Sequence, residues 1–509
     1  MEIEQRVDNF NELLKKRING NILGYGVLFK TNKRNFFYDT GTSKVLDCSN
    51  YTYDVLINIF KNNGKLCLNQ NEKDINLLMI ALDEIEQAIK EENILSKPQL
   101  VNFDEGYILK CCEAPCCSQL ILEVTQRCTF RCNYCIYCNE NQRFRNFSNQ
   151  DMTFEIAKKA MDYALKIGNK KTMAFTFYGG EPLLRFDLIK DCIEYFEKNY
   201  DGEKLTFNLT SNLSVLTDDM ATFFYNKKVY ITCSLDGYEE IHNKNRKYAN
   251  GKGTFKNTIA GLKKLVLAYG KKASELININ MVFDKPYNID KLEKLQEYIT
   301  TDYLLKEIDV SISYADYPTE YKPSRINVMQ IGKENKYSDV IGDWTFDKVL
   351  HSEQKIFSDN YILDRLEKIH NRRIEDSPFI HKGLNGCCIP GERRIYVDAT
   401  GKYMVCEKIG NAPCIGNVKD GLSLDQIRKF YVEEYCKKSL HECSECWAIN
   451  LCGVCYATLF NENGLQMSQK MKRCNAQKYA WYKSLIRYHT LLYEKPEILD
   501  KFNNKEIGE

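Results

Sequence analysis

Between residues 119 and 314 the chain alternates short apolar runs with longer amphipathic segments, six times in succession. Strands are predicted at 119–125, 173–178, 205–210, 229–234, 276–283 and 308–314, with helices such as 154–166 and 187–198 between them. Such alternation implies βαβ units and a parallel sheet of the α/β class. Six units in a row suit an open, partial (β/α)6 barrel built like part of a TIM barrel. Chemistry-bearing residues are then expected at the C-terminal ends of the strands.

The flanks read differently. Residues 1–97 carry candidate strands at 22–29, 35–38 and 44–47 and two helices at 53–62 and 74–92, which together suggest a small winged-helix-like domain. A linker is expected at 97–106, around Pro98. The barrel should span 118–320 and a weakly patterned helical bridge 321–385. A short, Cys-dense domain is expected at 386–480 and a tail at 481–509. A formal net charge of +2 gives no electrostatic reason to expect nucleic acid or a membrane as a partner. The charged start MEIEQRVDNFNELLKKR lacks a signal-peptide core, and no stretch approaches the roughly 20 apolar residues of a bilayer span. The chain reads as cytoplasmic. In a reducing compartment its 22 cysteines point to metal ligation rather than disulfides.

Three of them carry the chemistry. Cys128-Thr-Phe-Arg-Cys132-Asn-Tyr-Cys135 directly follows the first barrel strand. Three thiolates on one tight loop can ligate three irons of a cubane and leave the fourth open to a chelating ligand. A zinc site or unrelated thiols is the alternative reading, and Cys138 just beyond reads as a spare thiol. Tyr178-Gly179-Gly180-Glu181-Pro182 follows the second strand; its glycines would let the backbone approach a ligand, and Glu181 could accept from an ammonium group. A plain Gly-Pro turn is the competing reading.

The CxxxCxxC and GGEP motifs together resemble the signature of the radical SAM superfamily. That resemblance implies one 4Fe–4S cluster on Cys128, Cys132 and Cys135, with S-adenosylmethionine (AdoMet) bound near Gly179, Gly180 and Glu181. It also implies contacts from Ser211 in Thr210-Ser211-Asn212, from Ser234 in Ser234-Leu-Asp236-Gly237, and from Arg246. His242 reads as a structural hydrogen-bonder.

The C-terminal cysteines add a second pattern. Cys388-x12-Gly401-x4-Cys406, then Cys443-x2-Cys446-x5-Cys452-x2-Cys455 and Cys474, resembles the SPASM domain, except that the last pair is one residue closer than usual. The resemblance implies two auxiliary 4Fe–4S clusters, one on Cys443, Cys446, Cys452 and Cys474, the other on Cys388, Cys406 and Cys455. Cys387 would be a fourth ligand to the latter, or its iron would stay open. A zinc-binding tail is the alternative. Cys414, Cys436 and the run Cys111, Cys112, Cys116 and Cys117 receive no role.

Taken with the N-terminal module, the pattern resembles SPASM-type maturases of Cys-rich ribosomal peptides. It implies recognition of a precursor's leader by strand addition, an electron donor such as flavodoxin or ferredoxin, and hydrogen abstraction by a 5′-deoxyadenosyl radical leading to thioether crosslinks. Anaerobic sulfatase maturation, peptide epimerisation and carbon–carbon crosslinking are the rival enzymatic outcomes; an iron–sulfur electron carrier is the rival without catalysis.

Overall fold

The computed structural model describes residues 2–68, 74–100, 105–113, 116–137, 144–168, 173–199, 205–315, 339–352, 354–381, 388–457 and 459–503. The N-terminal module opens with a helix, Glu2–Arg17, that the sequence reading did not anticipate. Its charges conceal an apolar stripe: Val7, Phe10 and Leu14 follow helical spacing and are buried. Three antiparallel strands follow in the order β1 (Gly26–Lys30), β2 (Asn35–Asp39) and β3 (Val45–Cys48). The first begins later than expected because Ile22–Gly24 forms a 3-10 turn, capped where the Asn21 side chain accepts from Leu23 N. Helices Asn50–Lys61 and Ile75–Glu91 pack their apolar faces beneath this sheet.

The expected linker is partly structured. Gln99–Leu100 forms β4, which pairs with a later strand within the bridge region, at Ile380–His381. The barrel strands are β5 (Gln119–Thr125), β6 (Met173–Gly179), β7 (Leu205–Ser211), β8 (Tyr230–Ser234), β9 (Ile277–Phe283) and β10 (Asp309–Tyr314). All five successive pairings are parallel and the strands lie in chain order. Fully covered parallel strands usually read as unbroken apolar runs. Here burial alternates: Met173, Phe175 and Phe177 are buried against the helices, while Ala174, Thr176 and Tyr178 take the other face. The inward face is thereby left free for a polar chamber.

With Ile380–His381 as β11, the Cys-rich segment joins the barrel sheet. Its strand β12 (Arg394–Val397) pairs parallel with β5. Then β13 (Lys402–Met404), β14 (Gly416–Asn417) and β15 (Gly421–Leu422) continue antiparallel, giving one ten-stranded sheet. Across the boundary expected at 480, one helix runs from Met467 to Glu494. Trp481, Leu485, Tyr488 and Leu491 on it are buried in a core shared with Val27, Phe29, Phe36 and Tyr38 of the N-terminal sheet.

That core brings the N-terminal module onto the cysteine-bearing loop. Thr40 Oγ1 donates to Trp447 O (3.2 Å), Asn450 Nδ2 donates to Thr40 O (2.6 Å), and Lys97 pairs with Glu445 (2.9 Å). In the bridge region, helices Val340–His351 and Asn360–His370 occupy the described part. Buried Arg487 ties it down through Asp339 (2.9 Å) and Asp343 (2.8 Å). No helix among the described residues is long and apolar enough to cross a membrane.

Candidate active site

The loop carrying Cys128, Cys132 and Cys135 is held by its neighbour in space rather than by regular structure. Phe130 bridges Tyr248, Arg131 N donates to Lys247 O (2.6 Å), and Asn133 N donates to Asn245 O (3.0 Å). Residues on either side of Arg246 are thus bonded to residues between the cysteines. That places the guanidinium beside Cys132.

Gly179 and Gly180 serve a purpose that the motif alone does not reveal. Gly179 has φ +141°, and a Cβ there would lie 2.2 Å from Thr125 O. A Cβ on Gly180 would lie 2.1 Å from Arg127 O. The glycines therefore let the end of β6 close against the strand leading into the cysteine loop, with Gly180 N donating to Thr125 O and Glu181 N to Arg127 O. The turn locks two strand ends together.

Glu181 is buried and already accepts three hydrogen bonds, from Ser211 Oγ (2.6 Å), Asn212 N (2.9 Å) and Leu183 N (3.1 Å). Burial raises its carboxyl above the usual range, against the pull of those donors. It fastens β6 to β7 at the rim of the chamber. Glu181→Gln would set an amide donor against one of these donors, and losing a charge-assisted bond costs about 1.5–3 kcal/mol. We expect folding stability, measured by denaturant unfolding, to fall by about that amount.

Arg246 is also buried, its Nε 3.1 Å from Asp236 Oδ1 yet not aligned for a hydrogen bond. Asp236 further accepts from the Tyr134 hydroxyl and from Val282 N. Sequence reading singled out Arg246 but missed that Tyr134, the aromatic before Cys135, shares its carboxylate. His242 behaves as expected: its Nδ1 meets Asp236 N (3.4 Å) and its Nε2 meets Thr254 Oγ1 (3.1 Å). Burial pushes its pKa down to about 3, so it stays neutral.

These groups converge. Cys128, Cys132 and Cys135 line one cavity of about 550 Å³ together with Gly179, Gly180 and Glu181. Ser211, Ser234 and Arg246 line it too. From the C-terminal segment Cys455 reaches the same cavity, beside Gly453 and Val454. Burial pushes the Cys128 and Cys132 thiols up to about 12, which Arg246 opposes at Cys132. As free thiols they would be protonated; metal ligation would deprotonate them. Three thiols on one wall with a buried guanidinium beside them fit an anionic cluster and a zwitterionic ligand.

The other cysteines divide in two. Cys443, Cys446, Cys452 and Cys474 line a single small cavity. By contrast, Cys406 lines a separate cavity of about 310 Å³ with Cys414, Cys455 faces the main chamber, and Cys388 packs against the main core. The first set shares one cavity; members of the second line different ones, although Cys455 is near enough to Cys406 to act on its thiol. Among the described residues no three His, Cys, Asp or Glu side chains draw together as for a single metal ion. Cys138 and Cys387 lie outside the described residues.

Residues 122–299 match the Radical SAM superfamily. The chain carries a radical SAM domain. A match to this catalytic superfamily implies a 4Fe–4S cluster and AdoMet, in keeping with the donor set just described. The chain is similar to the radical SAM cyclopropyl synthase TigE of Paramaledivibacter caminithermalis, 24% identical over 381 residues, 72% of each chain. A cysteine-type anaerobic sulfatase-maturating enzyme of Clostridium novyi is 28% identical over 217 residues, 41% of this chain and 55% of the relative. In fold, the radical SAM domain and its flanks resemble a solved structure of anSMEcpe with bound AdoMet. There the TM-score is 0.54 and the identity 21%, covering 77% of this chain and 97% of the other.

Proposed function

We propose that the protein is a radical SAM maturase that forms thioether crosslinks in a ribosomally made, Cys-containing precursor peptide. One observation carries this reading: Cys455 of the Cys-rich segment opens onto the same chamber as the radical-generating triad. A peptide entering that chamber would lie between the two.

When bound, the triad's cluster and AdoMet supply a hydrogen-abstracting 5′-deoxyadenosyl radical, and auxiliary clusters supply an electron acceptor. Each crosslink breaks one C–H bond and one S–H bond and forms one C–S bond. One hydrogen leaves with 5′-deoxyadenosine, one as a proton, and one electron passes to the acceptor. The chain's own part is positional. Arg246, steadied by Asp236, would offer its charge to the AdoMet carboxylate, while Ser211 and Ser234 at the ends of β7 and β8 would help hold the nucleoside. Auxiliary clusters are assigned to Cys443, Cys446, Cys452 and Cys474, and to Cys388, Cys406 and Cys455. The segment from about 386 to 480 is read as a SPASM domain, and a flavodoxin or ferredoxin as the electron donor.

Residues 1–97 are read as a winged-helix-like module for the leader peptide. Its strand β3 sits at a sheet edge. Asp39 N donates to Lys44 O, so antiparallel alternation turns the main-chain groups of Val45 and Asp47 away from β2. An extended leader would pair there. Asp47→Pro removes an outward donor without breaking a β2 bond. Precursor affinity by fluorescence anisotropy should weaken about tenfold, the worth of one net hydrogen bond. AdoMet binding should be unaffected.

The similarity to TigE favours a second reading, carbon–carbon bond formation within a peptide. Anaerobic reconstitution with AdoMet, reductant and a Cys-containing precursor encoded nearby tests the shared premise. Precursor-dependent 5′-deoxyadenosine supports a peptide substrate; formation that ignores the peptide rejects it.

A further inference from the structure

A lysine is buried among the C-terminal thiols. Lys470 lies one turn before Cys474 on the helix Met467–Glu494, and residues four apart share a helix face. It is 1% exposed. Its Nζ stands 3.6 Å from Cys443 Sγ and 4.0 Å from Cys474 Sγ, and 5.6 Å from the centre of the Tyr435 ring. Its Nζ bonds only to sulfur among the described residues; Glu442 and Lys478 also line that cavity.

Burying an ammonium costs several kcal/mol unless an anion meets it. Neutral thiols would leave that cost uncompensated, whereas metal-bound cysteines are thiolates. An iron–sulfur cluster held by four thiolates is a net anion and becomes more negative on reduction. A fixed cation against two of its ligands favours the reduced state most, and net charge and hydrogen bonds to sulfur set cluster potentials.

We propose that Lys470 is a positioning residue for the cluster on Cys443, Cys446, Cys452 and Cys474. It compensates the cluster's charge and holds its reduction potential above the value the thiolates alone would set. A raised potential suits a cluster that takes up the electron released on crosslinking. The inference rests on the reading that these four cysteines hold a cluster.

The test uses the full chain with Cys128, Cys132 and Cys135 replaced by alanine, so that only auxiliary clusters remain. Iron and sulfide are counted, and potentials are read by EPR-monitored titration. Cys446→Ala should lose one cluster's iron and identify its signal; unchanged iron would reject the cluster assignment itself, whatever Lys470 does. Lys470→Met should keep the iron but shift the reduction equilibrium at least tenfold toward the oxidised form, about 60 mV for one electron. Lys470→Arg should stay near the parent. Full iron with an unchanged potential in Lys470→Met would overturn the proposal. Should Lys470→Met fail to assemble the cluster, restoration by Arg but not by Gln supports a charge role. Equal restoration by both, or by neither, overturns it.

Discussion

Replacing Cys128, Cys132 and Cys135 together with alanine is expected to abolish 5′-deoxyadenosine formation from AdoMet. Among the described residues the three thiols are the only cysteines the cavity receives from the barrel, and they sit beside the buried Arg246 guanidinium. On the proposed reading these thiols hold the iron against which AdoMet binds. A fall of about three orders of magnitude or more is expected, equivalent to ~4 kcal/mol of barrier. The fold should survive, because main-chain bonds of Phe130, Arg131 and Asn133 to residues 245–248 anchor the loop, and only two weak local bonds, from Phe130 N to Cys128 Sγ and from Tyr137 N to Cys135 Sγ, are lost with the sulfurs. Far-UV circular dichroism matching the parent would show that chemistry, not folding, was lost. Any single survivor of the triad should give little more activity than none, since the residues act as one unit.

The second large effect should fall on the product rather than on AdoMet. Cys455 faces the chamber from the C-terminal segment and neighbours Cys406 electrostatically. Cys455→Ala leaves the triad, Arg246 and Glu181 untouched. AdoMet cleavage should therefore drop only a few-fold, while crosslinked peptide falls by roughly a hundredfold or more, about 2.7 kcal/mol. Mass spectrometry of the peptide alongside a 5′-deoxyadenosine assay separates the two yields. Equal loss of both would place Cys455 in the machinery that cleaves AdoMet. Loss of neither would remove it from the reaction.

Much of this architecture was legible in the sequence, for reasons that differ by element. The barrel strands announce themselves because each is an apolar run between amphipathic helices, and the predicted 173–178 and 205–210 fall within a residue of β6 and β7. The helix Glu2–Arg17 escaped because its three core residues are separated by charges, although Val7, Phe10 and Leu14 keep helical spacing. Strands β12 to β15 are two to four residues long, too short for any periodicity; pairing with β5 and with one another defines them.

At the site, cysteine spacing and the GGEP turn located the chamber, whereas the partners of its charges were not readable. Asp236 and Tyr134 lie 102 positions apart in the chain and meet only through the fold. The glycines illustrate a subtler limit. Their presence was visible, but a backbone oxygen of Thr125 or Arg127, rather than a ligand, excludes a side chain there. Lys470 left a faint trace as the residue four before Cys474. Nothing in the sequence said it would be buried.

The measurement that most directly tests the maturase reading is the mass of the precursor peptide after anaerobic reaction or co-expression, with thiol alkylation before analysis. Thioether formation predicts the loss of two hydrogens per crosslink, with one thiol fewer open to alkylation each time. An unchanged mass, or the same loss with every thiol still alkylated, would contradict it.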